Sequence, residues 1–193
     1  MEGSASRNGK RIGASARPRP RMRGMRHGAR HDSVLFVCLG NICRSPTAEQ
    51  VFRAAAQRAG IASRLTIDSA GTGDWHVGNP PDYRSIAHAA MRGYDLAGLR
   101  ARQVEHRDFA RFDWILAMDG MVLDTLTRMR PAGSAGYLGL FLDLAPHLGR
   151  REVPDPYDRG ADEFETVLDL VEAASEALVA RLSVSSASPA LAR

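Results

Sequence analysis

The sequence predicts an α/β fold: a single three-layer domain in which a four-stranded parallel sheet carries helices on both faces. Three observations lead there. Short apolar runs alternate with longer segments of helix-forming residues, the order that a parallel sheet with crossover helices produces. The runs are continuously apolar, as in Val34-Leu35-Phe36-Val37, which is the pattern of strands buried on both faces. A length of 193 residues supplies one core of about 150 residues with loose ends, and not two sizeable cores.

The elements follow in order. The run Val34 to Val37 ends at Cys38, and a turn from Leu39 to Ser45 leads into a segment of helix formers, Pro46 to Ala59, closed by Gly60. Ser45 is its candidate N-cap and Glu49 lies near its first turn. The alternation then repeats: Arg64 to Asp68 as strand, Asp82 to Arg92 as helix, Trp114 to Ala117 as strand and Met121 to Met129 as helix. Leu138 to Leu144 reads as the fourth strand. Ala161 to Leu182 reads as a long last helix with Phe164, Val167, Leu168, Val171, Ala174, Leu178 and Leu182 on one stripe.

Charge divides the chain. Residues 1–31 hold nine Lys or Arg against one acid, Glu2, in a Gly/Ser/Pro/Arg-rich run with almost no large apolar residues. Such a segment cannot bury a core, so 1–32 is expected to be a disordered basic extension, 33–182 the folded domain and 183–193 a second disordered tail. Translation from Met22 or Met25, organelle targeting and nucleic-acid contact remain alternatives for the extension, although nucleic acid is not the expected partner. No stretch has the roughly 18 uncharged apolar residues of a membrane span, so a soluble, cytoplasmic protein is expected. The two cysteines, Cys38 and Cys43, do not make a stabilising disulfide framework, and no second Cys/His pair gives zinc-ligand spacing.

The chemistry is concentrated in Cys38-Leu39-Gly40-Asn41-Ile42-Cys43-Arg44-Ser45. This segment joins the first strand to the first helix, at the sheet edge where ligands of such folds sit. Five residues between Cys38 and Arg44 wrap one tetrahedral anion with inward-pointing amides, so a phosphate-binding loop follows the first strand. Leu39, Gly40, Asn41, Ile42, Cys43 and Ser45 are therefore assigned to substrate binding. Gly40 and Asn41 tolerate left-handed backbone. Arg44 offers a planar fork for two phosphate oxygens, and the helix N-terminus adds positive partial charge. The same field favours the thiolate of Cys38, the reactive form, with Ser45 as a hydrogen-bond donor to it. Cys-x5-Arg alone would more often be a buried thiol and a surface charge; here strand, Gly-Asn, Ser and helix all agree with the loop.

These residues resemble the N-terminal signature of the low-molecular-weight protein tyrosine phosphatases, running from Val34 to Pro46. The resemblance continues through Asp68 to Thr72, Gly78 to Asp82, Arg100 to Gln103, Met118-Asp119 and Asp155-Pro156, about residues 33–182. It implies that Cys38 is the nucleophile of a phosphocysteine mechanism, Arg44 the phosphoryl-binding group and Asp155 the general acid and base. Ser69, with Asn41, is implied to brace the loop, and Asp119 to support the site from behind it. Trp75 and Tyr157 are implied to wall the cleft against an aryl ring, with Asp158 making that rim more open and more acidic. Cys43 is either filler or the partner of a reversible disulfide that protects Cys38. The implied substrates are phosphotyrosine-containing proteins, with a cognate tyrosine kinase as a further partner and no metal or other cofactor.

Three alternatives share the loop. An arsenate reductase coupled to thioredoxin needs further cysteines, and none follows Cys43. A protein arginine phosphatase usually has Thr where Ile42 stands. A non-catalytic phosphate-binding module would not require Cys38, Arg44 and Asp155 together. The scattered histidines form no constellation and read as surface or capping residues.

Overall fold

A computed structural model of the protein describes residues 31–186; the basic extension through residue 30 and the tail from residue 187 lie outside the described residues. The strands are β1 (Asp32–Cys38), β2 (Leu65–Gly71), β3 (Trp114–Ala117) and β4 (Tyr137–Leu140). The helices are α1 (Arg44–Arg58), α2 (Tyr83–Met91), α3 (Asp108–Arg111), α4 (Gly120–Met129) and α5 (Ala161–Ser186). All pairings are parallel and the order is β2-β1-β3-β4. The chain thus moves outward from β1 in opposite directions, and a ligand crevice opens beyond the strand ends where it does so.

The pleat of β1 sorts the core. Val34, Phe36 and Cys38 face a layer made with α1 and α5, through Val51, Phe52, Val171 and Leu178. Leu35 and Val37 face the opposite layer, with Phe109, Val122 and Leu126. Phe36 meets Phe52 and Phe141 edge-on, at centroid distances of 5.6 and 5.0 Å. The expected stripe of α5 is buried throughout. Among the described residues no helix is long and apolar enough to cross a membrane.

Several boundaries differ from expectation, each for a local reason. The first helix starts at Arg44, and its N-cap is Cys43 with no side-chain cap. Ser45 is not the cap because its hydroxyl is engaged by Cys38, Asn41 and the Ala70 carbonyl. The fourth strand stops at Leu140; Phe141–Leu144 forms a 3-10 turn that places Phe141 and Leu142 in the core. The last helix runs to Ser186, four residues past its expected end and into the presumed tail. At the other end Asp32 already pairs with Leu65 in the sheet, and His31 Nε2 lies 2.8 Å from Thr66 Oγ1. Helix α3 is too short for any periodicity to announce it.

Candidate active site

The turn after β1 brings Cys38 to Ser45 into a closed loop. Asn41 is the one non-glycine among the described residues with positive φ, at 55°, a conformation that Asn tolerates better than most side chains. That twist turns its amide toward Cys38, and Asn41 N–H donates to Cys38 Sγ at 3.2 Å. Ser45 Oγ lies 3.0 Å from the same sulfur. Helix α1 opens at Arg44, so its free amides and positive end lie beneath the loop.

The Asn41 side chain does the bracing. Its Nδ2 donates to Ser45 Oγ at 2.9 Å and to Ser69 Oγ at 3.0 Å, while its Oδ1 accepts from the Arg102 amide at 2.9 Å. Ser69 Oγ in turn donates to Glu49 Oε2 at 2.8 Å. Burial pushes the Glu49 carboxyl up, against the opposing hydrogen bonds from Ser69 and Arg53. Next to this network Gly71 lies flat against the loop: a Cβ there would come 2.8 Å from Leu39 O and 3.1 Å from Asn41 N.

Arg44 is 3% exposed. Its Nη1 donates to Asp119 Oδ2 at 2.5 Å and to Val153 O at 3.3 Å, and its Nη2 to Asp155 Oδ2 at 2.5 Å. Burial would lower the guanidinium pKa, but the charges of Cys38, Asp155 and Asp119 outweigh it, and the group is held above its ordinary value. Asp119 has a second duty, since its Oδ1 caps α4 through the Val122 amide at 2.8 Å. The Asp155 loop is fixed locally by Tyr157 N–H, which donates to Asp155 Oδ1 at 3.2 Å.

Above the loop opens a cavity of about 590 Å³ lined by Cys38, Arg44, Trp75, Asp155 and Tyr157. The structure therefore brings together every residue singled out from sequence. Leu39, Gly40, Ile42 and Cys43 line the cavity, whereas Asn41, Ser45, Ser69 and Asp119 stand behind it. Trp75 and Tyr157 are 59% and 46% exposed and form its walls.

The acidic rim needs correction: Arg159 lines the cavity beside Asp158, so the rim carries both signs. His76 also belongs here and not to the general surface, for a Cβ on Gly40 would meet its ring at 2.9 Å. Glu49 was missed as well. The available signal was its position four residues after Ser45, on the helix face shared by Ala48 and Phe52.

Cys43 is buried, and both cysteines are free. Burial pushes its thiol up to about 12, with Ser85 opposing and Asp82, Cys38 and Asp155 adding to the rise. The two sulfurs of the loop thus sit in opposite surroundings. Cys38 meets a hydroxyl, an amide and a cation, whereas Cys43 packs with Ile42, Ala101 and Phe164.

A buried thiol at the end of a central parallel strand, cradled before a helix and faced by an Arg and an Asp, is the arrangement of the cysteine-dependent phosphatase class. Comparison with known proteins narrows this. Residues 33–187 match the family described as low molecular weight phosphotyrosine protein phosphatase. A Synechocystis relative is 46% identical over 150 residues, 77% of this chain and 95% of the relative. The low molecular weight protein-tyrosine-phosphatase YfkJ of Bacillus subtilis is 41% identical over 150 residues, covering 78% and 95% respectively. The YfkJ crystal structure superposes with a TM-score of 0.76 at 38% identity, over 82% of this chain and 98% of that one. A protein tyrosine phosphatase from Entamoeba histolytica gives 0.77 at 36% identity, over 80% and 98%. The chain belongs to the low molecular weight phosphotyrosine protein phosphatase family.

Proposed function

We propose that this protein tyrosine phosphatase hydrolyses phosphotyrosine on protein substrates through a phosphocysteine on Cys38. The observation that carries the reading is the convergence on one cavity of Cys38, with Ser45 Oγ at 3.0 Å, and the Arg44–Asp155 pair. In the first step the Cys38 thiolate attacks phosphorus and the bond to the tyrosine oxygen breaks. Asp155 gives that oxygen its proton, because an aryl oxide is a poor leaving group at neutral pH. In the second step Asp155 takes a proton from water as the water oxygen attacks phosphorus. The P–S bond breaks, and inorganic phosphate and the thiolate are released.

Arg44 and the loop amides stabilise the charge on the transferring group in both steps, while Ser45 steadies the departing sulfur. Asp155, 45% exposed at its side chain, exchanges its contact with Arg44 for the leaving-group oxygen when a phosphoryl oxygen takes that nitrogen. Trp75 and Tyr157 flank the ring of an aryl phosphate, and a phosphoryl group at that depth favours tyrosine over the shorter serine. The residue roles, the opposing cognate kinase and a cytoplasmic location, where thiols stay reduced, belong to this proposal. Hydrogen peroxide would oxidise the Cys38 thiolate to a sulfenic acid with release of hydroxide, and attack by the Cys43 sulfur would then close a disulfide with loss of water. That step is slow at neutral pH, because burial keeps the Cys43 thiol protonated.

The test is hydrolysis of para-nitrophenyl phosphate and of a phosphotyrosine peptide. Cys38→Ser is expected to lower turnover on the order of 10⁴–10⁶-fold, and Asp155→Ala about 10²–10⁴-fold, most strongly for the peptide with its poorer leaving group. Retained turnover in Cys38→Ser removes the mechanism. Reduction of arsenate, or release of phosphate from phosphoarginine but not phosphotyrosine, would replace the reading with one of its alternatives.

A further inference from the structure

The aromatic wall of the cavity is tied to the phosphate loop through one side chain that does not line it. Asp82 N–H donates to Ile42 O at 2.8 Å, so the residue that caps α2 is also bonded to the loop. Its carboxylate holds Arg84 in a fork: Arg84 Nε donates to Oδ1 at 3.0 Å and Nη2 to Oδ2 at 2.8 Å. That pair fixes the guanidinium in plane and direction, which a single contact would not do. Arg84 Cζ then lies 5.4 Å from the centre of the Tyr157 ring and 5.0 Å from that of Phe164. Both distances are within the range over which a cation is attracted to an aromatic face. Phe164, at the start of α5, packs in turn with Ile42 and Cys43.

We infer that Arg84 is a positioning residue for substrate choice: locked to Asp82 and hence to the phosphate loop, it holds Tyr157 at a set distance from the anion cradle. The inference rests on reading the cavity as an aryl phosphate site. Its physical content is that two parts of the substrate are gripped by two segments far apart in sequence, the loop 38–45 and the loop around Tyr157. Discrimination for an aryl ring requires the spacing between them to be constant. Tyr157 is half exposed, and its backbone amide donates to Asp155 Oδ1. The Arg84 cation lies against its ring. Hydrogen bonding to Asp82 holds the Arg84 guanidinium well above its ordinary value, so the cation persists across the working pH range. The same contact holds the Asp82 carboxyl below its ordinary value.

The test separates grip on the ring from grip on the anion. Affinities for benzylphosphonate and for inorganic phosphate are measured by titration on the wild type, Arg84→Gln, Arg84→Lys and Asp82→Asn, the last of which keeps a capping residue at α2. Arg84→Gln is expected to weaken benzylphosphonate about 3- to 10-fold while leaving phosphate unchanged. Arg84→Lys restores part of the difference because it returns a cation to the rings; Asp82→Asn loses part of it because the fork is released. With para-nitrophenyl phosphate the KM rises by a similar factor and kcat stays within about two-fold, since Cys38 and Asp155 are untouched.

Equal weakening of both ligands in Arg84→Gln would overturn the inference in favour of a distorted loop, and no weakening of either would overturn it outright. If the wild type binds these ligands but turns over no aryl phosphate, the proposed function fails. The affinity ratio would still decide the role of Arg84.

Discussion

The loop 38–45 and the rim loops bearing Trp75 and Tyr157 face the same cavity, yet they are held in opposite ways. In the loop, Asn41, Arg44 and Ser45 are buried, and each makes more than one polar contact. On the rim the aromatic rings are half exposed; Tyr157 rests on the Arg84 cation, and Trp75 on His76 and Gly73. The difference teaches where each property resides. On the proposed reading, capture of the phosphoryl group depends on many bonds that fail together, and choice of the group attached to it on a few weak contacts that vary one at a time.

Substitutions at the two places should therefore differ in kind. Asn41→Ala removes three bonds and leaves a side chain with Cβ at positive φ. Loss of up to about 10²-fold in kcat for every substrate is expected, with about 2–3 kcal/mol of stability, read by denaturant unfolding. If that variant lost activity for peptides alone, the division between cradle and rim would be broken. Tyr157→Ala is milder: about 2- to 10-fold in KM for aryl substrates, with phosphate inhibition unchanged in the same assays.

The smallest effect sharpens the contrast between the two sulfurs. The Cys43 thiol is pushed from about 9.0 to about 12 by burial, so the folded state favours its protonated form. This contribution to stability is whole below pH 9 and is lost as pH rises toward 12. Wild type should lose about 1 kcal/mol by pH 10 beyond what Cys43→Ala loses. Parallel unfolding curves for the two proteins would show that the thiol is not shielded.

Much of this was legible in the residues because local and global signals agreed. The apolar run before Cys38, the Gly-Asn pair and the helix after Arg44 all point to one strand-loop-helix unit, and β3 and the start of α5 fell where composition placed them. What escaped depends on tertiary contact. Ser45 looks like a helix cap in sequence, and only the approach of Cys38 and Asn41 reassigns its hydroxyl. Phe141 to Leu144 is as apolar as a strand, yet no neighbouring strand continues past Leu140 to pair with it. His76 and Arg159 carry no spacing that marks them; the folding of two loops over Gly40 brings them to the rim.

Gly71 shows how narrow the tolerance behind Cys38 is. Because the strand next to β1 ends in a bare Cα, the cradle rests directly on backbone, with no side chain to yield when it is crowded. One added methyl would act as a shim, raising the bed on which the amides lie and spreading their aim. Such a chain could keep its sheet and its thiol and still let oxyanions slip away, a loss of function written at a site that no substrate ever reaches.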